Sequence, residues 1–337
     1  MKKILVINVN WLGDVIFSIP LFKSLKNAYP GSEISCLAPS RVKEVIDLIP
    51  IVDETIVFDE RGEHLSPLAK LKLIQSLKQK HFDMAFILHR SHTRAWLAYL
   101  AGIPVRVGHV EKKRGFLLTH AYQPPSGRLH RSDYYSHLLE SFGISVADRM
   151  CDLSVSSEEE SAARERLRRL GVRDSDFVVV INPGGNWDLK RWPKENFAGL
   201  LKQLMAQSSV KVLLSGAPKD VALVNDIVSL AGVKPIVLTG ETTLKELAAL
   251  FKCVDLLISG DTGPLHLASG VGTDTLSIFG PTEPELTGPR GRGKSVILRK
   301  DVGCNKEPCY FLECPKNECM HAVGVDEVIN EVRRFQN

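Results

Sequence analysis

Lys3-Ile-Leu-Val-Ile-Asn-Val-Asn-Trp-Leu-Gly-Asp-Val15 decides the fold of this chain. Lys3–Val9 is a short apolar run without polar alternation, the pattern of a strand buried on both faces of a parallel sheet. Gly13 permits a tight turn, and Asp14 lands at the entry of a helix expected over Val15–Asn27, which contains Pro20. Strand, turn and helix in that order are the first unit of a doubly wound α/β domain. A basic start before an apolar run resembles a signal peptide, but Asn8, Asn10 and Asp14 interrupt it and no small-x-small site follows.

The alternation continues outward from there. Glu33–Ala38, Glu54–Phe58 and Met84–His89 read as strands, and Pro67–Lys80 and Thr93–Ala101 as helices. Ser66 is placed as a cap, with Pro67 in the first turn. A charged helix over Ser157–Leu170 separates this series from a second one. There the strands are Phe177–Ile181, Lys211–Ser215, Ile236–Thr239, Asp255–Ser259, Thr275–Phe279 and Val296–Arg299, and the helices Pro193–Ala206, Asp220–Leu230 and Leu244–Phe251. The boundary falls between Asp148 and Asp176, and the division adopted is 1–160 and 161–337. Two such halves imply a cleft, with ligands at the carboxyl ends of the strands.

Composition narrows the class. The 337 residues, 44% hydrophobic and 24% charged, are those of an ordinary globular protein of two domains. A net charge of +4 is too small to argue for nucleic acid. No run approaches the ~20 apolar residues of a membrane span, so a soluble, cytoplasmic protein is expected. Between Pro104 and Arg131 stand six Lys/Arg against one acid, Glu111. That segment reads as a solvated loop or as a face for an anionic substrate or membrane.

Three motifs fall where strands give way to helices. In the first, Asp14 either caps a helix or serves as a carboxylate able to take a proton from a hydroxyl. The second, Asn182-Pro-Gly-Gly-Asn-Trp-Asp-Leu-Lys-Arg-Trp-Pro193, joins glycines to Lys190 and Arg191. Backbone N–H groups around Gly184, Gly185, Asn186 and Trp187, with a lysine, suit a diphosphate. The third, Ser259-Gly-Asp-Thr-Gly-Pro-Leu-His266, sets Asp261, Thr262 and Gly263 at a helix start, with His266 on that helix. Arg90 and Arg94 follow the strand ending at His89 and read as helix-surface charge or as contacts to anionic groups of a substrate.

Other patterns point elsewhere. Gly288-Pro-Arg-Gly-Arg-Gly-Lys-Ser295 fits the P-loop letters, yet a strand follows it where a P-loop opens a helix. Asp174-Ser-Asp176 fits the Asp-x-Asp of metal-dependent sugar transferases but precedes a strand, as a turn and cap would. The single glycine of the first turn is no dinucleotide fingerprint. Cys304, Cys309, Cys314 and Cys319 recur every five residues. They form either a thiolate metal or disulfide site or a set of packed, reduced thiols, structural or regulatory in either case.

Together the three motifs, with Ile278-Phe-Gly-Pro-Thr282, resemble glycosyltransferase family 9, whose best-known members transfer heptose from ADP-heptose to the lipopolysaccharide core. The likeness spans almost the whole chain. Ala101-Gly-Ile-Pro104 with Arg106 and Gly108, and the cysteine run ending Cys319-Met320, are nearer the heptosyltransferase II branch than the I branch. The resemblance implies a GT-B fold of two Rossmann-like domains facing across a cleft, the first binding acceptor and the second the nucleotide sugar. It implies inversion at the anomeric carbon, with Asp14 as general base and no required cofactor or metal. Lys190 would contact the donor diphosphate, and Asp261, Thr262, Gly263 and His266 would line the donor site. Asn10, Trp11, Arg90 and Arg94 are the candidate acceptor contacts. The partners implied are an ADP-sugar donor and a lipid-linked glycan acceptor, reached by peripheral contact with the inner face of the cytoplasmic membrane. A family 9 enzyme for another sugar, a GT-B-fold nucleotide-sugar epimerase and a non-catalytic nucleotide-sugar-binding protein are the competing readings.

Overall fold

The computed structural model describes residues 1–304, 306, 309, 311 and 313–336. The chain divides into two compact units, Met1–Leu153 and Ser154–Asn337. The helix Ser157–Arg169 belongs whole to the second, and Ser156 starts it with a capping box to Glu159.

The first unit holds a six-stranded parallel sheet. Its strands are β1 (Lys3–Ile7), β2 (Glu33–Ala38), β3 (Glu54–Val57), β4 (Met84–Ile87), β5 (Val105–His109) and β6 (His120–Tyr122), in the order β3-β2-β1-β4-β5-β6. The second unit repeats the plan with β7 (Phe177–Asn182), β8 (Val210–Leu214), β9 (Ile236–Val237), β10 (Leu256–Gly260), β11 (Asp274–Ile278) and β12 (Ser295–Leu298), ordered β12-β11-β10-β7-β8-β9. The unbroken apolar runs are fully buried, as helices on both faces require: Ile4–Ile7 and Val179–Val180 are at 0% exposure. In each sheet the strand order reverses once, between β1 and β4 and between β7 and β10. A crevice opens at such a point, beyond the carboxyl ends of the strands.

Several local expectations change. The helix read over Val15–Asn27 is two, Leu12–Phe17 and Ile19–Ala28, parted at Ser18. Pro20 has no N–H to continue the first ladder, and the Ser18 hydroxyl turns back to the Val15 carbonyl at 2.6 Å. Asp14 is not the cap. Trp11 holds that position without a side-chain bond, and Asp14 stands in the first turn. Pro193 caps its helix, Lys194–Met205, instead of lying inside it.

The basic stretch 104–131 is not a free loop. It contains β5, β6 and the turn Gly115–Leu117, and it leads into the helix Arg131–Ser141. Arg114 is 1% exposed and donates to the carbonyls of His89, Ser91 and His109. Arg106 donates to the carbonyls of Ile103 and Leu117. Two of the six cations therefore bracket backbone. The glycines of the P-loop look-alike serve packing: a Cβ on Gly291 would lie 1.7 Å from the Ser269 carbonyl oxygen, and one on Gly293 2.5 Å from that of Thr273. Asp176 accepts the Arg173 N–H at 2.8 Å, so Asp174-Ser-Asp176 is a turn. All seven cysteines are free thiols. Cys304 and Cys314 are exposed, Cys309 and Cys319 half-buried. Among the described residues no three His, Cys, Asp or Glu are grouped to hold a metal, and no helix is long and apolar enough to cross a membrane.

Candidate active site

In the first unit, the segments leaving β1 and β4 meet at the reversal point. Asn8 is buried, and its amide donates to Ser18 Oγ at 2.9 Å while its carbonyl oxygen accepts the Val9 N–H. This pair turns the chain out of the sheet and starts the loop to Asp14. Asn10 is held on three sides. Arg94 donates to its Oδ1 at 2.6 Å, His89 Nε2 lies 3.1 Å from its Nδ2, and Arg41 donates to its carbonyl at 3.0 Å.

Arg94 differs from both readings of it: 1% exposed, it lies beneath Asn10, stacked over Phe58 at 5.1 Å. Burial lowers its pKa to about 10, so it remains a cation at neutral pH. His89 sits between Arg94, Arg114 and Lys112, and burial first, then those charges, lower its pKa to about 4. Its ring is neutral at pH 7. Trp11 is exposed and carries the Arg41 guanidinium over its ring at 4.7 Å. Arg90 is exposed too and pairs with Glu111 at 3.1 Å.

The Asp14 carboxylate is partly open, with 26% of its side chain exposed. The Tyr135 hydroxyl donates to Oδ1 at 3.4 Å, and Arg131 Nε lies 3.8 Å from the same oxygen. Both come from the helix Arg131–Ser141. Burial, reinforced by the Asp14 charge, pushes the Tyr135 phenol well above its ordinary range, so it stays a donor. Its partial exposure leaves the carboxylate within reach of a hydroxyl from solvent.

In the second unit, the loops after β7 and β10 meet in the same way. Asp261 is buried and central. Lys190 Nζ donates to its Oδ2 at 2.7 Å, His266 Nε2 lies 3.4 Å from Oδ1, and Thr287 Oγ1 donates to Oδ2 at 3.2 Å. Burial alone would raise the Asp261 carboxyl. The His266 contact and the Lys190 ammonium outweigh it and hold the group well below the usual carboxylate range. Thr262 caps the helix Gly263–Gly270, and its hydroxyl lies 2.9 Å from Ser259 Oγ. The first N–H groups of that helix lack intrahelical acceptors, as at any helix start.

The glycine pair threads between two walls. A Cβ on Gly184 would sit 2.4 Å from the Asp220 carboxylate, and one on Gly185 3.2 Å from Thr262 Cγ2. Lys190 Nζ lies 5.3 Å from the centre of the Trp187 ring, while Trp192 is a core residue whose indole donates to the Val323 carbonyl at 2.9 Å. Gly184, Gly185, Asn186, Trp187, Lys190, Asp261, Thr262, Gly263 and His266 thus belong to one neighbourhood.

Sequence reasoning missed the loop after β8. Lys219 donates to Asn186 Oδ1 at 2.5 Å and to the Gly185 carbonyl at 3.3 Å, and the Asp220 carboxylate accepts the Ala217 N–H. The signal was Ser215-Gly-Ala-Pro-Lys-Asp220, a glycine just past a strand at the sheet edge that bears the other loops. Of the four late cysteines, Cys309 donates its backbone N–H to the Pro281 carbonyl at 2.7 Å. Cys319 packs beside Gly280, where an added Cβ would lie 3.1 Å from its sulfur.

Comparison with known proteins bears on the family and the fold. Residues 70–315 match the profile of glycosyltransferase family 9 (heptosyltransferase). Lipopolysaccharide heptosyltransferase 2 of Escherichia coli K12 is 27% identical over 323 residues, 90% of each chain. The crystal structure of a family 9 glycosyltransferase from Veillonella parvula superposes with a TM-score of 0.88 at 26% identity, over 99% of this chain and 97% of that one. The structure of E. coli ADP-heptose lps heptosyltransferase II gives 0.81 at 25% identity, over 99% and 98%.

Proposed function

The chain belongs to glycosyltransferase family 9, and from that premise we propose that it transfers heptose from ADP-heptose to a lipid-linked lipopolysaccharide inner core, with inversion at the anomeric carbon. One observation carries this reading: a partly open carboxylate, Asp14, stands at one sheet's reversal point, and a lysine–aspartate pair beside a helix N-terminus stands at the other's. Acceptor and base are assigned to the first unit, donor to the second.

In this reading Asp14 takes the proton of an acceptor hydroxyl. Its oxygen forms a bond to the anomeric carbon as the bond from that carbon to the diphosphate breaks on the opposite face, and ADP leaves. A lysine ammonium has three donors. Lys190 spends two on Asp261, on Oδ2 and on the carbonyl at 3.5 Å, and the third is available to a diphosphate oxygen. The Gly184–Trp187 loop and the Thr262–Gly263 N–H groups stabilise the rest of the developing charge. The nucleotide sugar is already activated, so no cofactor is needed. Asn10, Trp11 and Arg90 are assigned to the acceptor, with Arg94 holding Asn10 from below. The lipid-linked acceptor places the enzyme in the cytoplasm, against the inner face of its membrane.

The test is turnover by the purified protein. ADP-heptose with a heptose-deficient lipopolysaccharide acceptor is expected to yield ADP and a core one heptose heavier by mass spectrometry, with or without a chelator. Release of free sugar or an epimer from donor alone, with no transfer, would overturn the reading in favour of an epimerase.

A further inference from the structure

One face of the first unit is apolar and basic where a globular protein is usually mixed. The connections β3 to β4, β4 to β5 and β5 to β6 run the same way across the sheet, so right-handed crossovers lay them on one side of it. They form an outer layer of the helix Pro67–Gln79, the helix His92–Leu100 and the turn Gly115–Leu117, with the second helix beside both its neighbours. The inward side of this layer, with Leu73, Leu77, Ala95, Ala98 and Leu117, covers the sheet.

The outward side carries Leu68 (64% exposed), Leu71 (58%), Trp96 (39%), Tyr99 (44%) and Phe116 (67%). The Trp96 ring meets Tyr99 and Phe116 edge-on, at 5.4 and 6.0 Å, so the three exposed rings cluster with one another. Of the fifteen large hydrophobic residues exposed among the described residues, seven lie between Leu65 and Phe116. Isolated exposed apolar groups need no explanation, but a concentration of them marks an interaction surface.

The charge of this layer is one-sided. From His64 to Lys113 there are nine Lys/Arg against two acids, Asp83 and Glu111, and neither helix contains an acidic residue. Of the nine, Arg94 is buried, Lys80 is paired with Glu54 and Arg90 with Glu111. Lys72 and Lys78 are exposed on the first helix. Lys112 and Lys113, a few residues before Phe116 in the chain, are exposed and occupy consecutive left-handed positions. A second copy of the chain would set lysines against lysines around the apolar centre. An anionic bilayer fits both features: rings at headgroup level, leucines in the acyl boundary, ammonium groups on lipid phosphates.

We propose that the outer face of Pro67–Gln79, His92–Leu100 and Gly115–Leu117 docks the protein on an anionic phospholipid surface. This deepens the transfer reading, on whose membrane contact it rests, by naming the surface that makes the contact, and plain vesicles without acceptor test the surface separately from transfer. The full chain is expected to float with phosphatidylglycerol-containing vesicles and far less with phosphatidylcholine alone. High salt should weaken that binding only in part, since the apolar contribution is not screened. The variant Leu68→Ser/Leu71→Ser/Trp96→Ser/Phe116→Ser should lose about tenfold or more in vesicle affinity with an unchanged thermal melt. In the otherwise native protein, lipids with brominated chains should quench tryptophan fluorescence, and Trp96→Phe should remove that quenching while flotation persists. Absence of flotation at low salt, equal flotation by the quadruple variant, or quenching that survives Trp96→Phe would each overturn the proposal. So would a dimer that the quadruple variant dissociates while its flotation stays intact.

Discussion

Asp14 and Asp261 are both carboxylates at a sheet's reversal point, and their surroundings differ. Asp14 is partly exposed and oriented by Tyr135 and Arg131. If it is the base, Asp14→Asn keeps the shape and still accepts the Tyr135 hydrogen bond but takes no proton. Single-turnover transfer should fall by about 10²–10⁴-fold. Trp11, not Asp14, holds the cap position, so stability should move by only a few tenths of a kcal/mol. A chemical rate like that of the native enzyme would refute the assignment. Asp261 is buried against Lys190 and His266, and its pKa lies below its unfolded value of about 4. Its stabilisation is therefore complete above about pH 4 and is lost as pH falls below that. Asp261→Asn should cost about 3 kcal/mol at pH 7, as breaking a buried pair does, and the deficit should shrink toward pH 3. Urea denaturation of both proteins at the two pH values is the check. A deficit that does not depend on pH would mean that the pair contributes little. Both aspartates were legible in the sequence, because each follows a strand and a glycine within a short motif. The burial of Arg94 was not legible: one residue after another on a helix, its depth is set by Asn10 and Phe58, which arrive from distant segments.

Among the elements, the strands were the most legible, because a run buried on both faces needs no partner to be recognised. What escaped was the C-terminal helix Val325–Gln336 and the stretch from Val105 to Ser141, where Arg106, His109, Arg114 and His137 hide two strands and a helix behind a polar composition. Their polarity is internal. Arg114 ties β4 to β5 through carbonyls, and His109 Nε2 lies 3.2 Å from His137 Nδ1. Burial first, then the charges of His137, Arg114 and Arg90, lower the His109 pKa to about 4, below an unfolded value of about 6.5. The folded ring stays neutral while the unfolded one takes a proton. Stability is therefore full above about pH 6.5 and falls as pH drops toward 4, with His89 acting in the same sense. The urea midpoint should be lower at pH 5 than at pH 7.5, and His109→Gln should remove about 1–2 kcal/mol of that difference. An unchanged pH dependence in the variant would show that the titration lies elsewhere. The Gly288–Ser295 loop offers a second test at this scale. Gly291→Ala must push against the Ser269 carbonyl and should destabilise the protein by about 3 kcal/mol or more. A variant that melted normally would mean the loop can move away from that helix end.

At the scale of the whole molecule, the two sheets have the same strand order, and each reversal point gathers one set of motif residues. Duplication of the plan was legible because the apolar runs restart after Ser157–Arg169. The division of labour proposed for the halves rests on the chemistry of each loop: glycines and a lysine after β7, a carboxylate after β1. That division makes binding and chemistry separable. If the donor diphosphate is held by the second unit, Lys190→Ala removes a charge-assisted hydrogen bond. It also leaves the Asp261 carboxylate unneutralised by an ammonium beside the anion. ADP affinity should fall by about 1.5–3 kcal/mol, roughly ten- to a hundredfold. Asp14→Asn lies in the other unit and should leave ADP affinity unchanged while transfer collapses. Calorimetric titration of ADP into both variants, paired with single-turnover rates, measures the two effects independently. Unchanged ADP affinity in Lys190→Ala would remove the lysine from the donor site. Weakened ADP binding in Asp14→Asn would place that carboxylate on the donor, and the base would then have to be sought among the remaining groups of the first unit.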